Sequence, residues 1–386
     1  MLPPHKVKVV LCLIALACMV LVSIFTSLTT PSIQHMIKSR YDTLSMIHHP
    51  VFLKGMASST AHSPVIHPTR SNSTMMLTSN DDINASEFMN IQVDIQRRRR
   101  KHLADVCSAN GIHQVAGSQD SNFIVDKKYK LVYCYVPKVA CTSWKRVFLV
   151  LNGVMKRPDD LPQPQVNNVI GPRKLSFLSS YNKSKRAEIL KSYTKFLVVR
   201  HPFHRILSAY QNKLWAGSTS KTSIIFQKKI GLHILEGYRT STLLNNKTGS
   251  VEQKTIVNKH GDKIKYDLRF DEFVKFLTTK TEKPSLLKNS HWGEITHRCK
   301  PCDIDYDVIS HFETLVDDAI YILRRVHADH IVKFPSSNGS SPTNSSSKYL
   351  YQSYYADIPQ DDLQKLYQRY RLDFELFGYE KPDSVL

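Results

Sequence analysis

The sequence contains no GxxxxGK[ST] loop, so the best-marked signature of a nucleoside triphosphate site is missing. Cys299 and Cys302 form a CxxC pair, but no second CxxC accompanies them. A four-cysteine zinc site therefore lacks half of its ligands, and a disulfide role is expected instead. No carboxylate can be placed as a magnesium holder, which counts against metal-dependent phosphoryl transfer. Acidic residues are scarce: 33 Asp and Glu against 53 Lys and Arg leave a formal net charge of +20. That balance favours polyanionic partners such as nucleic acid, an acidic membrane surface or an acidic polysaccharide, and charge alone does not choose among them.

What is present suits one large domain with appendages. At 386 residues and 41% apolar, the chain can bury a full core. Val7–Leu28 is a 22-residue run whose one charged side chain is Lys8, and it is long enough to cross a bilayer. Lys6 and Lys8 at its leading side predict a type II anchor with residues 1–6 in the cytosol. A cleaved signal peptide is the rival, but the run exceeds a usual apolar core and has no clear small-x-small site after Phe25-Thr26. Residues 29–95, rich in Ser, Thr, His, Met and Asn, read as a largely disordered stem. The folded domain is expected over 96–386. Arg97–Lys101 (RRRRK) reads as solvated or as a processing site rather than as a polyanion contact. Sequons begin at Asn72, Asn84, Asn182, Asn246, Asn338 and Asn344, in keeping with a luminal catalytic part.

Cys12 and Cys18 lie in the apolar run. The remaining five, Cys107, Cys134, Cys141, Cys299 and Cys302, are odd in number, so at least one stays free or pairs between chains. Their pairing cannot be deduced from spacing. Cys141 has no activating base beside it and reads as a packing residue.

Two strand–turn–helix units carry the chemistry. Leu131–Val136 is a buried strand, ended by Pro137 with Lys138 at the turn. Thr142 and Ser143 are placed to cap a helix, whose Trp144, Val147, Phe148 and Leu151 share one face. Phe196–Val199 repeats the pattern. Arg200 stands at its end, Pro202 suits a first helical turn, and Phe203, Ile206, Leu207 and Tyr210 make the apolar face. Two such units in one parallel sheet would present both cations on the carboxyl edge, where open α/β sheets bind ligands. Elsewhere, Leu161–Ser180 and Ser336–Ser347 read as loop and Arg186–Ser192 as helix. Ala216–Lys265 reads as a polar acceptor-binding region or lid. Helical stripes are expected over Tyr266–Leu277 and around Leu363, Leu366, Tyr367 and Tyr370.

VPKVACTSWKR resembles the 5′-phosphosulfate loop of Golgi carbohydrate sulfotransferases, and RHPFHRILSAY resembles their 3′-phosphate motif. HW at His291-Trp292, CKPCDIDYDVI at Cys299–Ile309 and DFELFGY at Asp373–Tyr379 follow in family order. The wording is closest to the chondroitin/N-acetylgalactosamine 4-O-sulfotransferases, from about Arg97 to the C-terminus. His204 departs from the acidic residue common there, and Ser143 from Asn. The resemblance implies an α/β, P-loop-like sulfotransferase fold with a central parallel sheet flanked by helices, behind an N-terminal transmembrane helix in the Golgi membrane. It implies PAPS (3′-phosphoadenosine 5′-phosphosulfate) as donor, no metal, no nucleic acid, and a glycosaminoglycan or other glycan as acceptor.

By the same resemblance, Lys138 binds the phosphosulfate and stabilises the leaving oxygen. Pro137, Val139, Ala140, Cys141, Thr142 and Ser143 complete that loop. Arg200 and Ser208 would hold the 3′-phosphate, within a motif that includes His201, Pro202, Phe203, His204, Arg205, Ile206 and Leu207. A sugar hydroxyl needs a base near neutral pKa. His291 is the candidate, weighed against a structural role beside Trp292; His201 and His204 are weaker because they open the cofactor helix. The expected activity is sulfation of position 4 of N-acetylgalactosamine in chondroitin or dermatan. Another sugar of N- or O-glycans is the alternative acceptor, and a polyanion-binding membrane protein is the alternative without catalysis.

Overall fold

The computed structural model describes residues 80–112, 120–239, 254–257, 261–280, 283–335 and 343–382. The expected anchor Val7–Leu28, most of the stem, and the sequons at Asn72, Asn246 and Asn338 lie outside the described residues. The described residues belong to one unit, Met76–Leu386. Among them, no helix is long and apolar enough to cross a membrane.

The first helix, α1 (Asn80–Ala109), runs across the stem boundary expected at 95/96. Phe88 and Met89 pack on the main core, and Gln92 and Gln96 are buried, so residues upstream of the basic run share the core of the domain. Arg99 within that run is not a solvated residue. Its Nη1 donates to both carboxylate oxygens of the buried Asp318 at 2.9 and 3.0 Å and to the Ile309 carbonyl at 2.9 Å. Arg97 and Lys101 do stay on the exposed face, paired with Asp94 and Asp105.

The central sheet begins with β1 (Phe123–Asp126) and β2 (Leu131–Cys134), both fully buried. Then come α2 (Cys141–Leu151), short helical turns through 163–174 in place of the expected loop, and β3 (Ser176–Phe177). Next are α3 (Lys183–Ser192), capped by the Asn182 side chain on Lys185 N, β4 (Thr194–Val199) and α4 (Pro202–Lys213). The polar stretch beyond it holds α5 (Lys221–Phe226), α6 (Leu232–Tyr238) and a hairpin of β5 (Lys254–Val257) with β6 (Lys263–Tyr266). The chain closes with α7 (Phe270–Thr278), α8 (Ile295–Cys299), β7 (Val308–His311), α9 (Leu315–Arg325), α10 (Lys348–Tyr355) and α11 (Gln360–Leu376).

The sheet order is β3-β1-β2-β4-β7. β2, β4 and β7 are parallel neighbours, whereas β1 runs antiparallel to both β2 and β3. The sheet is thus mixed rather than wholly parallel. The physical reason is the short Lys127–Lys130 connection, since a tight turn can join only antiparallel strands.

Two apolar cores flank the β4–α4 corner. In the first, Tyr133 of β2 stacks on Phe196 of β4 at 4.6 Å, and Trp144 of α2 lies 4.4 Å from the same ring. Trp144, Val147 and Phe148 are fully buried, contributing on the order of 2 kcal/mol each. The second core joins α4, α7, α10 and α11 around Trp292. Two disulfides tie the layers together: Cys107–Cys302 and Cys134–Cys299, across 195 and 165 residues. Cys141 is free.

Candidate active site

Because β2 and β4 pair in parallel, with Cys134 opposite Leu197, their turns leave the same sheet edge. In the first turn, Lys138 (φ 73°) and Ala140 (φ 63°) both adopt left-handed backbone. Such positions cost about 1–3 kcal/mol for residues with a Cβ. Burial of Val136 and Val139 holds them in place. No side chain caps α2: Thr142 instead accepts from Asn167 Nδ2 at 2.9 Å. The expected cap is therefore absent, and the first amides of α2 are left for an anion.

The second corner meets the first. Arg200 is buried and donates from Nη1 to the Lys138 carbonyl at 3.1 Å. Its Nη2 reaches Ser345 Oγ at 3.0 Å and Ser346 Oγ at 2.6 Å. The guanidinium lies 4.2 Å from the Phe312 ring, and Nε has no partner. Ser208, two turns along α4, shares a hydrogen bond with Thr343 at 2.9 Å. A hydroxyl-rich segment thus adjoins Arg200 and Ser208. Sequence reading passed Thr343, Ser345 and Ser346 over as loop, and their only signal was hydroxyl density.

Other members of the second motif face elsewhere. Pro202, Phe203, Ile206 and Leu207 are buried. Phe203 stacks on Tyr355 at 5.1 Å. Arg205 uses its guanidinium on three carbonyls, Pro137 at 3.2 Å, Gly293 at 2.9 Å and Ser290 at 3.0 Å. It ties the first turn to the His291 segment rather than presenting charge outward. His201 and His204 sit 4.6 Å apart beside Arg200. Burial, then the neighbouring charges, lowers them to about 3 and about 4, so both imidazoles are neutral.

His291 lies close enough to Lys213 and Lys138 to feel both charges. Its Nδ1 and its backbone N–H both meet Asn289 Oδ1, at 3.0 and 3.1 Å. A carbonyl oxygen accepts, so Nδ1 carries the proton and Nε2 keeps its lone pair. The ring packs 4.8 Å from Phe226. Burial, reinforced by Lys213, Lys138, Arg205 and Arg298, holds the imidazole well below its usual range and therefore neutral.

The electrostatic character of the cleft is one-sided. Burial, with Lys213 and then Arg200 adding to it, lowers Lys138 to about 7. Burial also lowers Lys213 and Arg298. Among the described residues, Lys138, Lys145, Arg200, Arg205, Lys213 and Arg298 have no carboxylate within ion-pair distance, while Arg99, Lys195, Arg239 and Arg369 all do. Arg200 and Arg205 are buried and the other four half-buried, and cations so placed without counter-ions are unfavourable unless a ligand supplies the charge. Lys213 was missed in the sequence because a cation in a helix's last turn is ordinary. Also among the described residues, no group of three or more His, Cys, Asp or Glu side chains is arranged to hold a metal ion.

Residues 121–380 match the profile of the Sulfotransferase family. The chain belongs to that family. It is 35% identical over 299 residues to carbohydrate sulfotransferase 11 of Rattus norvegicus, covering 75% of this chain and 78% of the relative. Against carbohydrate sulfotransferase 10 of Homo sapiens it is 30% identical over 306 residues, covering 77% and 79%. No solved structure matches the chain. Family membership makes the chain a sulfotransferase and implies PAPS as its donor. Lys138, Lys213 and the unpartnered Arg200 Nε suit so highly charged an anion.

Proposed function

We propose that this protein transfers sulfate from PAPS to position 4 of N-acetylgalactosamine in chondroitin or dermatan, as a single-pass type II enzyme of the Golgi membrane with its catalytic domain luminal. The observation that carries the donor half is the contact between Arg200 and Lys138, which joins the two turns into one cation-lined cleft. The acceptor and the compartment rest on the sequence motifs, the apolar run Val7–Leu28 and the basic balance of the chain.

PAPS, when bound, supplies a sulfuryl group that passes in line between two oxygens, leaving adenosine 3′,5′-bisphosphate. Lys138 neutralises charge gathering on the leaving oxygen, and the amides from Lys138 to Ser143 cradle the same end. Arg200 and Ser208 hold the 3′-phosphate, with the fork of the guanidinium fixing its orientation. His291 takes the proton of the sugar hydroxyl at Nε2, while Asn289 holds Nδ1–H and so sets the tautomer. Arg205 keeps the Lys138 turn and the His291 segment together.

The test is direct. Full-length protein is titrated with adenosine 3′,5′-bisphosphate and then given labelled PAPS and desulfated chondroitin. Saturable binding and label at position 4 are expected. Failure to bind the nucleotide would return the protein to the class of polyanion binders. Binding without labelled chondroitin would move the activity to another glycan.

A further inference from the structure

Two cations rest on one aromatic ring at the edge of the cleft. The Lys145 ammonium is 4.5 Å from the centre of the Tyr135 ring, and the Arg298 guanidinium is 5.1 Å from it. Neither has a carboxylate partner among the described residues. A ring quadrupole attracts a cation but does not cancel its charge, so the pair stays electropositive.

The arrangement is held from several sides. Lys145 donates to Asn167 Oδ1 at 3.2 Å, and Asn167 is in turn anchored on Thr142 of the donor loop. Arg298 Nε donates to the Tyr135 carbonyl at 3.0 Å. The disulfide Cys134–Cys299 joins the residue before Tyr135 to the residue after Arg298. Arg298 is coupled electrostatically to Cys141 and to His291. Arg200 instead feels Glu313, Tyr379 and Arg205. Through Asn167 and Thr142 the charged ring is joined to the donor loop, so it borders the cleft in which an acceptor must meet the sulfuryl group.

We propose that Tyr135, Lys145 and Arg298 form a second anion seat, which takes a carboxylate of the acceptor glycan on a sugar next to the one that reacts. The seat rests on the sulfotransferase reading above and names the side chains of this protein that would recognise the uronate of that acceptor. The planar fork of Arg298 matches a carboxylate, and Lys145 adds a point charge from the same ring.

The experiment uses full-length protein saturated with adenosine 3′,5′-bisphosphate. Desulfated chondroitin and the same polymer with its carboxyls reduced to alcohols are titrated by calorimetry. The wild type is expected to bind the carboxylated polymer about tenfold tighter or more. Arg298→Gln should remove most of that preference while leaving nucleotide affinity unchanged, and Arg298→Lys should restore part of it. In turnover, the Arg298→Gln loss should fall on KM rather than kcat, and only for the carboxylated polymer. Tyr135→Leu, which takes away the ring that carries both cations, repeats the test should Arg298→Gln fail to fold. Equal binding of both polymers by the wild type overturns the seat, as does an Arg298→Gln variant whose nucleotide binding weakens as much as its polymer binding. Retained discrimination with no sulfate transferred would sink the enzyme reading and leave the seat standing.

Discussion

Arg200 donates a hydrogen bond to the carbonyl of Lys138 at 3.1 Å. The two residues are 62 positions apart in the chain and end parallel neighbouring strands. One contact thus sets both the spacing of the two cations and the left-handed turn at Lys138, and it links donor binding to chemistry.

Lys138→Ala should abolish turnover, with a loss of about 10²-fold or more in kcat from removing a preorganised charge. Arg200→Ala should raise the dissociation constant for adenosine 3′,5′-bisphosphate about tenfold or more. Calorimetry and a labelled-donor assay separate the two effects. Near-full activity in both variants would defeat the site assignment.

Nucleotide binding should depend on pH through Lys138. Its charged form prevails below its value of about 7 in the empty site, and an anion prefers that form. Affinity should therefore fall as pH rises through 7, and Lys138→Arg should flatten the curve, because a guanidinium stays charged. Stability of the empty protein should move oppositely. Between about 7 and the ordinary lysine value the unfolded chain holds the extra proton, so stability rises with pH there. Thermal melts with and without nucleotide read both signs.

His291→Gln should lower kcat about 10²-fold while nucleotide binding stays intact. Asn289→Leu leaves the imidazole in place but frees its tautomer, so a smaller loss, about tenfold, is expected. Equal nucleotide affinities with unchanged kcat in both variants would remove His291 from the mechanism.

Arg99→Met should unfold the protein more readily than any other change within Arg97–Lys101. Asp318 accepts from Arg99, Gln96, Ser310, the His311 N–H and Thr314. Leaving that carboxylate short of its one cation costs about 3–5 kcal/mol. Arg97→Met, on the exposed face, should cost under about 1 kcal/mol. Denaturant titrations compare the two.

Removing Cys134–Cys299 by paired serine substitutions should destabilise the protein by about 2–5 kcal/mol. Cys141→Ser should be close to neutral in stability, as that thiol is in no disulfide. Chemical denaturation under non-reducing conditions checks both.

The sequence by itself determined the two strand–turn–helix units, their apolar faces and the cations at their ends. Those are local properties: β-branched and aromatic runs, helical spacing and a proline in a first turn act within a few residues. The odd count of five cysteines beyond the apolar run likewise required one without an intrachain partner, and Cys141 is that thiol. Only the tertiary structure decided that β1 reverses the sheet, that Arg99 is buried against Asp318, that Arg205 serves the backbone, and that Thr343, Ser345, Ser346, Asn289 and Lys213 gather around the cleft. Each of those depends on contacts between residues far apart in the chain, and a hydroxyl or a terminal lysine carries no periodicity that would mark its eventual neighbour.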